Sequence, residues 1–345
     1  MKIHNPVGLE GIEFIEFSSE QASLEKMFQE FGFSMRLERV GEVKLYEQGQ
    51  IHFLINQHPR SFAANFSKAH GPCVSSMGWR VKDAQLAFKE AVDRGAKPAP
   101  EGDYKIEGKK IPAVYGIGDS LIYFIDAYKD KSLYERMGFT LSKHPIRVEN
   151  KGFELIDHLT NNVYKGTMDT WAKFYKDIFG FTEIRYFDIR GIKTGLTSFA
   201  LKSPCGSFCI PINEGTEKKS QINEYLDEYK GPGVQHIALL THDIVKSIHH
   251  LDGSSIQMLD IDDEYYDSVF DRVPHVSEDH KELQRLKILV DGDEDGYLLQ
   301  IFTRNLIGPI FIELIQRKNH HAFGEGNFGA LFRAIERDQE RRGYL

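Results

Sequence analysis

Apolar positions along this chain follow two rhythms, and each rhythm occurs twice. Short runs dense in apolar residues read as strands, first Ile12-Glu13-Phe14-Ile15-Glu16-Phe17 and later Phe153-Glu154-Leu155-Ile156-Asp157-His158. A polar stretch follows each run. Apolar residues then recur at i, i+3, i+4 and i+7: Leu24, Met27, Phe28 and Phe31 in one case, Trp171, Phe174, Tyr175 and Ile178 in the other. That spacing lines one face of a helix. Both stripes run into Phe-Gly-Phe, at 31–33 and 179–181, where glycine can close the helix. The two stripes are one residue out of phase relative to that tripeptide. Strand-like alternation, a Gly-Pro strand and a second helix (Asp83 to Arg94, Asp243 to Leu251) follow in both halves. Closing strands are predicted at 121–125, 298–302 and 310–315. The charged segment 128–150 lacks periodicity and reads as the connection between the halves.

The chain is therefore an internal duplication. Gly71-Pro72-Cys73-Val74-Ser75-Ser76 matches Gly231-Pro232-Gly233-Val234-Gln235-His236, which sets a serine against His236. Matching the first strands as written sets Phe17 against His158. Matching Tyr123-Phe124-Ile125-Asp126 to Ile310-Phe311-Ile312-Glu313 sets Asp126 against Glu313. The later half thus gathers two histidines and a carboxylate in apolar strands, where an inward polar group needs a partner. Two imidazoles and one carboxylate hold Fe(II) on one face and leave about three positions open. The alternative is a set of hydrogen-bonded core residues. Among 14 histidines, the adjacent pairs His249-His250 and His320-His321 point apart and make poor chelates.

Composition narrows the classes. With 345 residues the chain is long enough for two domains. A net charge of −8 offers no basic surface for nucleic acid. Three cysteines (Cys73, Cys205, Cys209) make no disulfide framework, which fits a reducing cytosol and a cytoplasmic address. The opening residues 1–6 lack the apolar run of a signal sequence, and no run approaches a membrane span. Three motifs are decoys. The Asp291–Gly296 stretch begins like a calcium loop, but its twelfth position is Phe302, so it reads as a hairpin turn. Gly324–Gly329 matches a dinucleotide glycine pattern with only 16 residues left after it, too few for that unit. His250-Leu251-Asp252 closes a helix and reads as a loop.

Four segments in order carry a resemblance: 233–239, 298–303, 310–317 and Phe323-Gly-Glu-Gly-Asn-Phe328, joined by Gly8-Leu-Glu-Gly-Ile-Glu-Phe14 at the start. In these the chain resembles the 4-hydroxyphenylpyruvate dioxygenases, of the vicinal-oxygen-chelate superfamily. The resemblance implies an α+β fold of duplicated βαβββ modules forming two open β-barrels. Residues 1–135 would be a structural barrel without metal, and residues 150–345 a catalytic barrel. The stripe Phe328, Leu331, Phe332 and Ile335, on its own a packed terminal helix, becomes a lid. One Fe(II) per chain would be held by His158, His236 and Glu313, with no nucleotide or flavin. Ser198, Asn213, Gln221, Gln235, Gln300, Phe302, Phe311, Phe323, Asn327 and Phe328 match positions around the substrate, Phe302 and Phe328 as an aromatic pair about its ring. The family often has proline after the Asn-Glu pair; Gly215 stands there, which implies a looser loop under Asn213. The implied reaction takes a 2-oxo acid, 4-hydroxyphenylpyruvate, with O2 to homogentisate and CO2, a step of tyrosine breakdown, in a homo-oligomer, dimer or tetramer. The nearest rival, 4-hydroxymandelate synthase, shares substrate and metal set; Asn213, Phe302 and Phe328 favour attack on the ring. A binding protein on the same fold is the rival from another class, and it would have no use for an intact triad.

Overall fold

The computed structural model describes residues 4–19, 23–39 and 42–345. The first three residues, part of the stretch judged free of a signal sequence, lie outside it. Two curled eight-stranded sheets carry the architecture. Strand order in the first is 140–146, 34–39, 43–48, 51–56, 9–18, 73–81, 121–125, 113–115. In the second it is 182–190, 195–202, 209–215, 153–163, 233–241, 311–318, 297–302, 289–292. Each centre is an antiparallel pair, 9–18 with 73–81 and 153–163 with 233–241, flanked on both sides by parallel neighbours. This is the expected α+β duplication. Among the described residues no helix is long and apolar enough to cross a membrane.

Seven strands of each sheet correspond one to one, and the eighth lies at opposite edges. In the first sheet it is Thr140–Ile146, which pairs with Ser34–Arg39. The segment 128–150 is therefore more than a connection, and the first sheet runs past residue 135. Its strand is exposed on both faces except at Ser142 and the half-buried Ile146, so no apolar alternation betrays it.

The strand registers correct the alignment of the halves. Both central pairs carry bulges at equivalent places: Leu9/Gly11, Ile12/Phe14 and Glu16/Phe17 in one, Phe153/Leu155, Ile156/His158 and Thr160/Asn161 in the other. With Ser76 held against His236, the partner of His158 is Phe14, not Phe17, and Thr160 corresponds to Glu16. The tandem triplet Ile-Glu-Phe-Ile-Glu-Phe lets a sequence match slip by three residues. A similar slip affects the third ligand. Leu121 lies opposite Ser76 and Phe311 opposite His236, so Glu313 corresponds to Tyr123. Asp126 corresponds instead to Gln316. Both do the same job: Asp126 accepts a hydrogen bond from Ala84 N at 3.0 Å, and Gln316 from Ile244 N at 2.8 Å, each at the start of the helix that follows its half's Gly-Pro strand.

The phase difference between the helical stripes also has a cause. Ser23–Glu30 is an α-helix, but Met168–Lys173 passes into a π-turn at Phe174–Ile178. A π-turn accommodates one extra residue. The buried face becomes Met168, Ala172, Tyr175 and Ile178, leaving Trp171 and Phe174 half-buried. The helices predicted after the Gly-Pro strands form at Ala84–Asp93 and Ile244–His249, each capped by an aspartate: Asp83 accepts from Leu86 N and Asp243 from Lys246 N. Each is preceded by a helix absent from the sequence reading, Phe62–His70 and Gln221–Tyr229.

The larger of two apolar clusters runs through both halves, and the smaller fills the interior of the first barrel. At their junction Trp79 packs on Phe179 at 4.9 Å, Phe181 at 5.9 Å and Phe208 at 5.9 Å between ring centroids. Gln50 N donates to Glu154 O at 2.7 Å beside Gly49, where a Cβ would meet the Glu154 backbone at 2.7 Å. The halves are thus fixed against each other by close backbone approach as well as by apolar burial.

Candidate metal centre and its cavity

Three strands of the second sheet bring the expected ligands together. His158, His236 and Glu313 come from adjacent strands (153–163, 233–241, 311–318) and are 3 %, 9 % and 2 % exposed. Their ligand atoms lie within 4.8 Å of one another, the single such group among the described residues. His158 Nε2 is 3.1 Å and His236 Nε2 3.4 Å from Glu313 Oε2, with 3.3 Å between the two nitrogens. Two imidazole nitrogens aimed at one point beside a carboxylate oxygen is a ligand arrangement.

The far side of each ring supports this. His158 Nδ1 faces Asp157 Oδ2 at 2.7 Å, and His236 Nδ1 faces Gln235 Oε1 at 3.1 Å. Each Nδ1–H can donate there, which leaves the Nε2 lone pair toward the centre. Neighbours on a strand normally point apart, but Asp157 is the extra residue of the Ile156/His158 bulge, so alternation breaks there.

Charge favours a cation. Burial opposes ionisation of Glu313, but the His158 charge and hydrogen bonds from both histidines outweigh it and hold the carboxyl at about 2. Burial also opposes charge on His158, yet Glu313 and the bond to Asp157 push it up to about 9. Burial lowers His236. The site thus attracts positive charge, and a bound divalent ion would displace the proton that His158 otherwise keeps. The residues present fit a divalent metal of the Fe(II) class.

The triad forms the floor of a cavity of about 620 Å³, counting its open mouth. Ser198, Asn213, Gln221, Gln235, Gln300, Phe302, Phe311, Phe323 and Phe328 all line it. Asn327 does not. It lies fully buried behind Gln300, donating to Gln300 Oε1 at 3.0 Å and accepting from Tyr265 Oη at 2.6 Å. Gln300 in turn donates to Glu313 Oε1 at 3.3 Å. Phe311 stacks on His236 at 4.8 Å, and Phe302 meets the same ring edge-on at 6.2 Å. Asn213 is no loop residue: it pairs with Ser198 across strands 209–215 and 195–202. Gly215 ends its strand, and a Cβ there would come 2.2 Å from the Ser220 hydroxyl that caps helix Gln221–Tyr229. Glycine at 215 is a packing requirement, which corrects the looser loop inferred from sequence.

Helix Phe328–Arg341 covers the cavity with Phe328, Leu331, Phe332 and Ile335. Its Glu336 accepts from the backbone N–H of Ile192, Lys193 and Thr194 at 2.9–3.0 Å and fastens it to the 190–195 hairpin. Phe187 meets Phe328 at 5.1 Å and Phe323 at 6.3 Å. Sequence reasoning missed Phe187, Thr160, Asp157 and Glu336. The alternation of Phe187 with Ile189 was the available signal for the first.

The decoys behave as turns. Asp293 accepts from Asp295 N and Gly296 N in a hairpin, Gly324–Gly329 leads into the lid helix, and His250-Leu251-Asp252 follows helix Ile244–His249. His249 pairs with Glu282 at 2.7 Å and His320 with Asp293 at 3.3 Å, away from the triad.

Comparisons with known proteins agree with this geometry. The family model described as Hydroxyphenylpyruvate dioxygenase, HPPD, N-terminal matches residues 3–140, and that of the Glyoxalase/Bleomycin resistance protein/Dioxygenase superfamily matches residues 155–301. Protein MelA of Shewanella colwelliana is 57 % identical, with 99 % of each chain covered. The 4-hydroxyphenylpyruvate dioxygenase of Legionella pneumophila (strain Corby) is 45 % identical over 100 % of this chain and 99 % of its own. Among solved structures, a xylose isomerase-like TIM barrel/4-hydroxyphenylpyruvate dioxygenase fusion protein superposes with a TM-score of 0.82 at 28 % identity, spanning 98 % of this chain and 54 % of the fusion. A full-length match at this identity, on this fold and around this triad, makes the chain a member of the 4-hydroxyphenylpyruvate dioxygenase family.

Proposed function

We propose that the chain binds one Fe(II) through His158, His236 and Glu313 and converts 4-hydroxyphenylpyruvate and O2 to homogentisate and CO2. The observation that carries this is the convergence of three buried ligand atoms at the floor of a cavity with aromatic walls. Bound Fe(II) would supply dioxygen activation and the change of oxidation state. The chain's own residues bind, orient and exclude water. The open face of the triad suits the carboxylate and keto oxygens of a 2-oxo acid. Asn213, Gln221, Gln235, Gln300 and Ser198 offer amide and hydroxyl groups to the polar ends of the substrate. Phe302, Phe311, Phe323 and Phe328 surround its ring and keep the site dry. The first barrel, with Phe14, Ser76 and Tyr123 at the equivalent positions, serves as a structural partner without metal. We take the working form to be a cytoplasmic homo-oligomer that uses neither nucleotide nor flavin.

The test is oxygen uptake and product chromatography on Fe(II)-loaded protein given 4-hydroxyphenylpyruvate. Homogentisate formed in step with O2 uptake is the expected result. Hydroxymandelate would keep the triad and move the reaction to the side chain. No uptake with iron bound would overturn the assignment.

A further inference from the structure

The Asp157 carboxylate is shared between two partners. Oδ2 meets His158 Nδ1 at 2.7 Å and Arg317 Nη2 at 2.8 Å, while Oδ1 accepts from Arg317 Nε at 2.7 Å. Arginine thus grips the carboxylate with two parallel bonds, a geometry that fixes orientation as well as charge. The third guanidinium nitrogen is spent elsewhere. Nη1 donates to the backbone carbonyls of His320 at 3.1 Å and Ala322 at 2.7 Å. The next residue is Phe323, whose ring stands edge-to-face with His158 at 5.5 Å at the cavity rim. One side chain therefore touches the support of a metal-ligand candidate and the backbone that enters the lid.

We propose that Arg317 is a positioning residue: through Asp157 it fixes the His158 imidazole, and through the 320–322 carbonyls it ties that ring to the rim segment carrying Phe323. The inference deepens the metal reading above and rests on it.

The first half supplies the control. Glu13 is the extra residue of the equivalent bulge and pairs with Arg80 Nε at 2.7 Å. Its neighbour is Phe14, a ring that takes no hydrogen bond, and the Arg80 guanidinium lies over the Tyr128 ring at 5.6 Å. A carboxylate–arginine pair thus belongs to the bulge as such. Glu13 also faces His52 Nδ1 at 3.2 Å, an imidazole reaching it from the 51–56 strand. A ligand imidazole on the very next residue and the rim carbonyls are what the second half adds.

Titration of full-length, metal-free protein with Co(II), followed by the visible absorption of the bound ion, separates the two roles. Asp157→Asn is expected to weaken binding by roughly ten- to a hundredfold and to alter the absorption band, as loss of an outer carboxylate does at other histidine sites. Glu13→Gln should lower the melting temperature yet leave affinity and band as in the wild type. Arg317→Lys keeps the charge but loses the fork and the carbonyl bonds. With Fe(II) loaded, its KM for 4-hydroxyphenylpyruvate should rise more than its kcat falls. A folded Asp157→Asn protein with wild-type affinity and band overturns the proposal. If that variant does not fold, Arg317→Lys decides: an unchanged Co(II) band and unchanged KM overturn it equally. Wild-type protein that binds neither Co(II) nor Fe(II) would instead remove the metal reading on which it rests.

Discussion

The two barrels share seven strands in the same order and the bulges of their central pairs, yet one is filled and the other hollow. Where the second holds His158, His236 and Glu313, the first holds Phe14, Ser76 and Tyr123. Rings of Phe14, Tyr104 and Tyr123 pack within 5.3–6.0 Å of one another across its interior. Gly78 makes room for them, since a Cβ there would sit 2.5 Å from the Phe14 ring; the second half has Ala238 instead. Glu16, fully buried, takes the place of Thr160 and accepts from Ser75, Ser76, Asn56 and Tyr104. A barrel of this kind holds a ligand cavity only when its inward residues stop short of the centre, and large inward rings close it.

The most direct way to break this contrast is His236→Ala. Metal content should fall to background and turnover by well over the roughly hundredfold seen for outer-sphere changes, with the far-ultraviolet circular dichroism intact. Turnover retained at the wild-type level would dismiss the triad. In the filled barrel Phe14→Ala should cost about 3–5 kcal/mol of stability by cavity formation, measured by urea unfolding, while metal stoichiometry and kcat hold. A drop in metal stoichiometry there would mean the barrels are not separable in role.

Glu16 sharpens the comparison through pH. Burial, then the nearby Asp103 charge, raise its folded value above 4.5 despite the hydrogen bonds it accepts. Below 4.5 the carboxyl is neutral in both states. As pH rises past that value the unfolded chain ionises first, so stability is lost up to the folded value, with a slope of at most about 1.4 kcal/mol per pH unit. Glu16→Gln should flatten this part of the stability–pH curve, and an unchanged curve would show the group to be ionised in the fold. The smallest effect is expected at the lid. Phe328→Ala should raise KM by about three- to tenfold, leaving Co(II) affinity unchanged.

Much of this contrast was legible in the chain. The two histidines stood out because they interrupt apolar strands whose counterparts carry phenylalanine and serine; Glu313 was set against another carboxylate, Asp126, and its contrast with Tyr123 appears only in the strand register. The pocket residues followed from the family segments. Other features were hidden for physical reasons. The tandem Ile-Glu-Phe triplet satisfies two registers equally, and only hydrogen-bond pairing decides between them. The π-turn at 174–178 conceals an extra residue within an unbroken helical stripe. Asp157 beside His158 looks outward-facing until a bulge is known, and Arg317 reaches it across 160 positions of sequence. Glu336 grips backbone N–H groups that carry no side-chain signature.

The shared bulge has a further consequence for how such a site can be gained or lost. Its extra residue is a largely buried carboxylate paired with arginine in both halves, although only in one half is the next residue an inward-facing imidazole. The main-chain irregularity is thus available without any metal to aim at. A centre of this type can be installed or erased by exchanging side chains alone, and ancestry or engineering need not redraw a single strand.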